Sequence, residues 1–246
     1  MVSFVSQVRR FVGRKRALVV VAALTLVVPA GNAGAATNPW PPDGTYHYDI
    51  VASGAVSGHS DVEIASAANA ITVRENLQQG PVTATSSARY STPGLALASY
   101  SADMTVPSGA QHTALAIRPG VMTVTVPGRT ADIKADPSAP LMIVGDNLVA
   151  TLALTPAILH ATGAKSFTLA ALQGAKPVVA TVSAADPASR PSTVPAGDTG
   201  TKVNVAGLDE TFWYDPQTFV LDDLHVPDEA IDIRLASHEN AAAPSK

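Results

Sequence analysis

Residues 141–163, LMIVGDNLVATLALTPAILHATG, form the one stretch beyond the N-terminal segment that favours helix over strand. Asp146 is a residue type that caps helix N-termini, and Leu148 and Leu152 follow it at helical spacing on one face. The sequence therefore predicts a short amphipathic helix that starts at Asp146.

A second helical piece follows directly. Thr155 pairs a capping side chain with Pro156 at the first helical position, and Gly163 is a typical C-terminal stop. Asp146 and His160 are the only titratable groups of the two pieces, so little of their surface is suited to water. We expect this broken apolar helix, the insert 146–162, to lie in the concave side of a curved sheet.

The rest of the sequence is strand-like. Tyr46, Tyr48 and Ile50 alternate with polar residues, as in a half-buried strand. The segments 118–121 and 126–129, RPGV and VPGR, place proline and glycine at the centres of two successive type II turns. The pattern predicts a mainly β protein, a curved antiparallel meander that forms a half-barrel or open barrel around the broken helix.

The N-terminal residues 1–35 are typical of a cleaved secretory signal peptide. Five Lys and Arg residues precede a 14-residue apolar run, Ala17 to Ala30, and Ala33-Gly34-Ala35 offers a cleavage site. About 20 apolar residues are needed to span a bilayer, so we expect no stable membrane insertion after cleavage. The predicted location is the periplasm or the extracellular space.

Charge and cysteine content narrow the classes of partner. The signal holds five of the 16 Lys and Arg and none of the 20 Asp and Glu, which leaves 11 against 20, a formal charge of −9. Such a chain is a poor candidate for binding nucleic acid. The absence of cysteine excludes disulfides, thiolate metal sites and a lipid anchor on cysteine.

The length of the remaining chain suits one β-rich domain, residues 36–237. Within it, the Pro-, Ser- and Gly-rich segment 184–200 excludes helix and strand, and we favour a mobile loop over a functional lid. The tail 238–246 is predicted to be disordered.

No catalytic or cofactor motif occurs in the sequence, which predicts a protein that is not an enzyme, with no cofactor and no metal. The six histidines are far apart in sequence, although folding could still bring some of them together. The best alternative is an acidic group near the C-terminus that could hold calcium or act as an acid–base pair. Because this group lacks calcium-loop spacing, we favour a solvated, charged strand edge. The group comprises Asp222, Asp223, Asp228, Glu229 and Asp232.

The order of elements and two short motifs, 145–149 (GDNLV) and 212–216 (FWYDP), resemble uncharacterised bacterial periplasmic families related to the outer-membrane lipoprotein carrier half-barrel. The resemblance covers most of residues 44–235. It implies a curved sheet around a helix and an apolar cavity that receives acyl chains, but it transfers no functional residue.

Two functions follow from these observations. The first is an exported soluble protein that binds or carries a lipid or other hydrophobic molecule in an apolar cavity lined by Leu148, Leu152, Leu159, Trp213 and Tyr214. The alternative is a non-catalytic structural or accessory envelope protein with a filled core and a protein partner. A hydrolase built on the acidic group ranks third.

Overall fold

The computed structural model describes residues 39–92, 94–118, 120–145, 148–171, 177–227 and 230–241. All of them belong to the second of the two units into which the chain divides, Thr37–Lys246. Several predicted features lie outside the described residues: the signal segment 1–35, Asp146, Pro119, Asp228, Glu229 and most of the tail.

The first half of the described chain is an antiparallel meander of eight strands, each paired with the next in sequence. The strands are β1 (Gly44–Ala52), β2 (Ala55–Ala67), β3 (Ala70–Gln79), β4 (Val82–Ser91), β5 (Ala96–Val106), β6 (Gly109–Arg118), β7 (Val121–Val126) and β8 (Arg129–Lys134).

Seven further strands follow: β9 (Met142–Gly145), β10 (Ser166–Ala171), β11 (Val178–Ala184), β12 (Thr199–Val205), β13 (Leu208–Tyr214), β14 (Leu221–Val226) and β15 (Ile231–Asn240). Strand β15 pairs with β1, which joins both halves into one sheet whose end strands are β8 and β9. The pair β9–β10 is parallel and the other pairs are antiparallel. The predicted fold class, a mainly β open meander, is confirmed.

Alternating side chains and glycine turns explain the meander. Tyr46, Tyr48 and Ile50 are buried on one face of β1, while the residues between them are partly exposed. Gly120 and Gly128 adopt φ values of 72° and 74°, which the third position of a type II turn requires. The two tight reversals around β7 therefore follow from the local sequence.

The helical segment consists of α1 (Val149–Leu152) and α2 (Thr155–Thr162). Gly163 ends α2 with φ 60°, as predicted. The expected cap at Thr155 is wrong, because its hydroxyl donates to the carbonyl of Thr151 and Leu154 occupies the N-cap position. Residues 142–145 form strand β9 rather than helix, since the backbone of β10 offers them a parallel partner.

Buried side chains from both halves of the sheet and from both helices form one apolar cluster. We call the sheet face that carries this cluster the inner face and the opposite face the outer face. Helix α1 packs on β2, β3, β4 and β9. No helix in the described part of the chain is long and apolar enough to cross a membrane.

Two segments differ in extent from the predictions. Strand β15 runs to Asn240, into the tail predicted to be disordered, because β1 pairs with it as far as Gly44. The predicted loop 184–200 is shorter, since Ala184 pairs with Thr201 and β12 begins at Thr199. A short 3-10 helix, Pro187–Ser189, lies within the loop, and its predicted mobility stays a prediction.

Candidate functional site

A buried carboxylate, Glu75, connects the sheet to the helical segment. It lies on the inner face of β3 and is 2% exposed. The backbone N–H groups of Val149 and Ala150 donate to its Oε1 and Oε2 at 3.0 and 3.1 Å. The hydroxyls of Ser60 and Ser86, on the flanking strands, donate to the same two oxygens at 2.6 and 3.2 Å. Four donors thus surround one carboxylate.

Glu75 does for α1 what a capping side chain does in other helices. The first N–H groups of a helix have no partner within the helix, and the N-cap residue Leu148 has no side-chain acceptor to offer them. Burial raises the pKa of Glu75, and its four hydrogen bonds oppose that shift in part. The sheet therefore fixes the start of the helical segment through a single polar group.

Four of the five residues predicted to line a cavity meet in the apolar cluster. Leu148, Leu159 and Tyr214 are buried members of the cluster, and the half-buried Leu152 packs against it. Trp213 is also buried, but strand alternation turns it to the outer face. A Cβ atom placed on the facing Gly200 would lie 2.6 Å from Cζ3 of the Trp213 ring, so the ring covers that glycine closely.

The described members of the acidic group, Asp222, Asp223 and Asp232, do not lie on a solvated edge, because β14 and β15 are interior strands of the sheet. Burial, together with a hydrogen bond to Asp198, raises the pKa of Asp222 to about 7. Burial also raises the pKa of Asp223 to about 6, although Arg234 Nε lies 3.4 Å from its Oδ2 and opposes the shift. This burial is not predictable from the sequence, since strand β14 is as acidic as a solvent-exposed edge.

Four of the six histidines are each held by one aspartate through Nδ1. The pairs are His47–Asp61 at 2.6 Å, His59–Asp49 at 2.8 Å, His112–Asp103 at 2.7 Å and His225–Asp232 at 2.6 Å. Such a carboxylate fixes the orientation of the imidazole ring and leaves Nε2 for other partners. Among the described residues, no group of three or more histidine or carboxylate side chains is placed to hold a metal ion.

A groove with a volume of about 660 Å³ lies on the outer face, across strands β2 to β6. Asn76, Gln78, Thr83 and Thr85, on the neighbouring strands β3 and β4, are among its polar lining residues. Its lining is mixed, because Leu77, Ala84, Met104, Ala110 and Pro127 contribute to it beside the polar side chains. None of the five predicted cavity residues lines it. We call it the outer groove.

Sequence reasoning missed both Glu75 and the outer groove. Glu75 follows Val73 and precedes Leu77 at inward positions of a period-2 pattern, so an acid on an apolar face was a readable signal. The groove residues are ordinary outward polar residues of strands, and only the strand pairing brings them together.

Comparison with known proteins shows the fold and no activity. No protein-family profile matches the chain, and no curated protein matches it. A solved structure of a β-barrel-like protein of a domain of unknown function, DUF1849, from Brucella abortus is similar, with a TM-score of 0.50 and 11% identity over 84% of this chain and 100% of that one. At this identity the similarity speaks for the fold alone. It supports the predicted likeness to bacterial β-rich families, and the likeness to the lipoprotein carrier stays a prediction.

Proposed function

We propose that this chain is an exported, non-catalytic protein that binds a lipid or other hydrophobic molecule on the inner face of its sheet. The observation that carries the proposal is the helical segment itself. Residues 148–159 contain no Asp, Glu, Lys or Arg, pack on the apolar inner face, and are held at their start by Glu75. An acyl chain would occupy the surface that this segment now covers.

Binding in this way requires an exchange of one apolar contact for another. The transfer of apolar surface from water is worth about 25 cal/mol per Å², whether the surface is covered by leucine side chains or by a ligand. Replacing the helical segment by a ligand on the inner face therefore changes the free energy of apolar burial little. The main polar cost is the separation of Val149 and Ala150 from Glu75, whose carboxylate would keep the two serine donors.

The burial of the helices favours a second candidate function, an accessory envelope protein whose core is permanently filled. Val149, Ala150 and Leu154 are 0% exposed, which is the packing of an ordinary core. In that case the chain acts through a protein partner at its surface and its inner face binds nothing.

The substitution Leu152→Gln separates the two candidates. Leu152 is half-buried against the cluster, so at a ligand site water or ligand satisfies the new amide in part. Affinity for a fluorescent fatty-acid probe should then fall more than stability falls. In a filled core the leucine packing is lost and the buried part of the amide has no partner, so we expect a loss of about 2 to 5 kcal/mol of unfolding free energy.

The matched control is Leu97→Gln, the same change at another half-buried leucine that packs against the cluster from β5. Denaturant unfolding and probe titration are measured on both variants and the wild type. Probe binding that only Leu152→Gln weakens supports the hydrophobic-ligand function. Severe destabilisation by Leu152→Gln, with no probe binding by the wild type, supports the filled-core function.

Export is tested separately by the mass of the protein recovered from the producing cell. Cleavage after Ala35 predicts a mature chain that begins at Ala36. Recovery of the full-length chain from the cytoplasm alone would refute the exported location.

A further inference from the structure

The outer groove has a regular polar lining that follows from strand register. Asp61, Asn76, Thr85, Asp103 and His112 are direct cross-strand neighbours on β2 to β6, in that order. Strands lie about 4.8 Å apart, so this row spans about 19 Å. The row presents one polar side chain per strand along the groove.

A second row runs beside the first, two residues away along each strand. It contains His59, Gln78, Thr83 and Thr105, again as direct cross-strand neighbours. All four line the groove together with the members of the first row. The two rows form a ladder of hydrogen-bonding groups that could contact both edges of an extended ligand.

The two ends of the groove carry imidazoles oriented by aspartates. On the β2 side, Asp49 holds His59, and on the β6 side Asp103 holds His112, both through Nδ1. The Nε2 atom of each ring is then available to hydrogen-bond with a ligand. Between these ends, the amides of Asn76 and Gln78 provide both donors and acceptors.

This lining selects a class of ligand by its chemistry. Amides and hydroxyls match groups that both donate and accept, which is the property of sugar hydroxyls. Asp61 and Asp103 oppose an anionic ligand, and no Lys or Arg is among the lining residues that the structure describes. We propose that the outer groove binds a neutral oligosaccharide, with successive sugar units lying across successive strands.

This site is distinct from the hydrophobic-ligand proposal, because its two polar rows lie on the face opposite the apolar cluster, although Leu77 and Ala84 of that cluster also line the groove. On β3, Glu75 points to the inner face and its neighbour Asn76 to the groove. Either site could therefore fail its test without affecting the other.

The test measures the binding of small probes to the whole mature chain, residues 36–246, by isothermal titration calorimetry. The neutral probes are the tetramers of glucose in α-1,4 and β-1,4 linkage and the β-1,4 tetramer of N-acetylglucosamine. A sulfated tetrasaccharide and spermine serve as anionic and cationic probes. We expect saturable binding of at least one neutral tetramer and none of the sulfated one.

The variant Thr85→Val removes one groove hydroxyl with little change of shape, and Asn76→Ala removes a neighbouring amide. Each should lower the affinity for the neutral probe by about tenfold, which is the effect of one lost hydrogen bond in a binding site. Thr72→Val, also on the outer face of β3 but outside the groove, is the matched control and should leave affinity unchanged.

Three outcomes would overturn the proposal. One is the absence of binding by all neutral tetramers. Another is tighter binding of spermine than of any neutral probe, which would show a cation site built on Asp61 and Asp103. The third is a loss of affinity that is equal in Thr85→Val and Thr72→Val. Thermal unfolding of each variant confirms that the compared proteins are folded.

Discussion

The substitution Glu75→Gln tests how the helical segment is held. Glutamine keeps the shape of the side chain but offers one acceptor oxygen where the carboxylate offers two, and its NH₂ group must face one of the donors. Of the four donors around this group, the N–H groups of Val149 and Ala150 have no freedom to turn elsewhere. The two serine hydroxyls can rotate to other acceptors.

The magnitude follows from these contacts. One buried backbone N–H left without an acceptor costs about 1 to 3 kcal/mol, and the serine hydroxyl on the same side must turn to accept from the new NH₂ group. The two hydrogen bonds that remain on the amide oxygen lose the assistance of a charge. Removing a buried charge returns part of this cost. We therefore expect Glu75→Gln to lower the unfolding free energy by about 2 to 4 kcal/mol.

Urea unfolding followed by tryptophan fluorescence measures this change. Glu63→Gln is the matched control, since Glu63 is half-exposed on the outer face of neighbouring β2 and pairs with Arg74 at 3.3 Å. The control should change stability by no more than about 0.5 to 1 kcal/mol. If Glu75→Gln were as stable as the control, the role of Glu75 as the anchor of α1 would be refuted.

Two further predictions concern pH and close packing. Because the folded-state pKa values of Asp222 and Asp223 are raised from 3.8 to about 7 and about 6, their contribution to stability is present below about pH 4 and is lost as pH rises through 6 to 7. The unfolding free energy of the wild type should fall between pH 4 and pH 8, and it should fall less in Asp222→Asn. An equal fall in both proteins would contradict the raised pKa of Asp222. Gly200→Ala should destabilise by about 1 to 3 kcal/mol, because its Cβ would lie 2.6 Å from Trp213. Thermal unfolding of Gly197→Ala, where a Cβ meets nothing within 4 Å, is the control, and equal effects would disprove the contact.

Local sequence pattern was sufficient to predict those elements that have one buried face and one exposed face. The alternation around Tyr46 and Tyr48 and the turns at Gly120 and Gly128 predicted an antiparallel meander, which is confirmed. Gly163 likewise ends α2, since a residue with positive φ is the common helix stop.

Local sequence pattern does not predict an element whose structure is decided by pairing with a distant strand. Residues 142–145 are a short apolar run, which periodicity alone cannot divide between helix and strand, and only the distant β10 fixes them as β9. The acidic residues of β14 predict a sheet edge, because charge on a strand usually marks one, but the position of β14 between β13 and β15 depends on long-range topology.

The candidate sites were harder to predict than the fold for the same reason. The donors around Glu75 come from three separate elements, and the two rows of the outer groove come from five strands. No short motif joins such residues in sequence. Leu148, Leu159 and Tyr214 could be assigned to a shared apolar surface, but whether a ligand reaches that surface depends on the exchange of the helical segment.

The most direct measurement of the proposed function is titration of a fluorescent fatty acid into the wild-type protein and Glu75→Gln. We expect saturable binding by the wild type and tighter binding by Glu75→Gln, because the variant holds Val149 and Ala150 less firmly and exposes the inner face more easily. Absence of binding by both proteins, with both shown to be folded by circular dichroism, would contradict it.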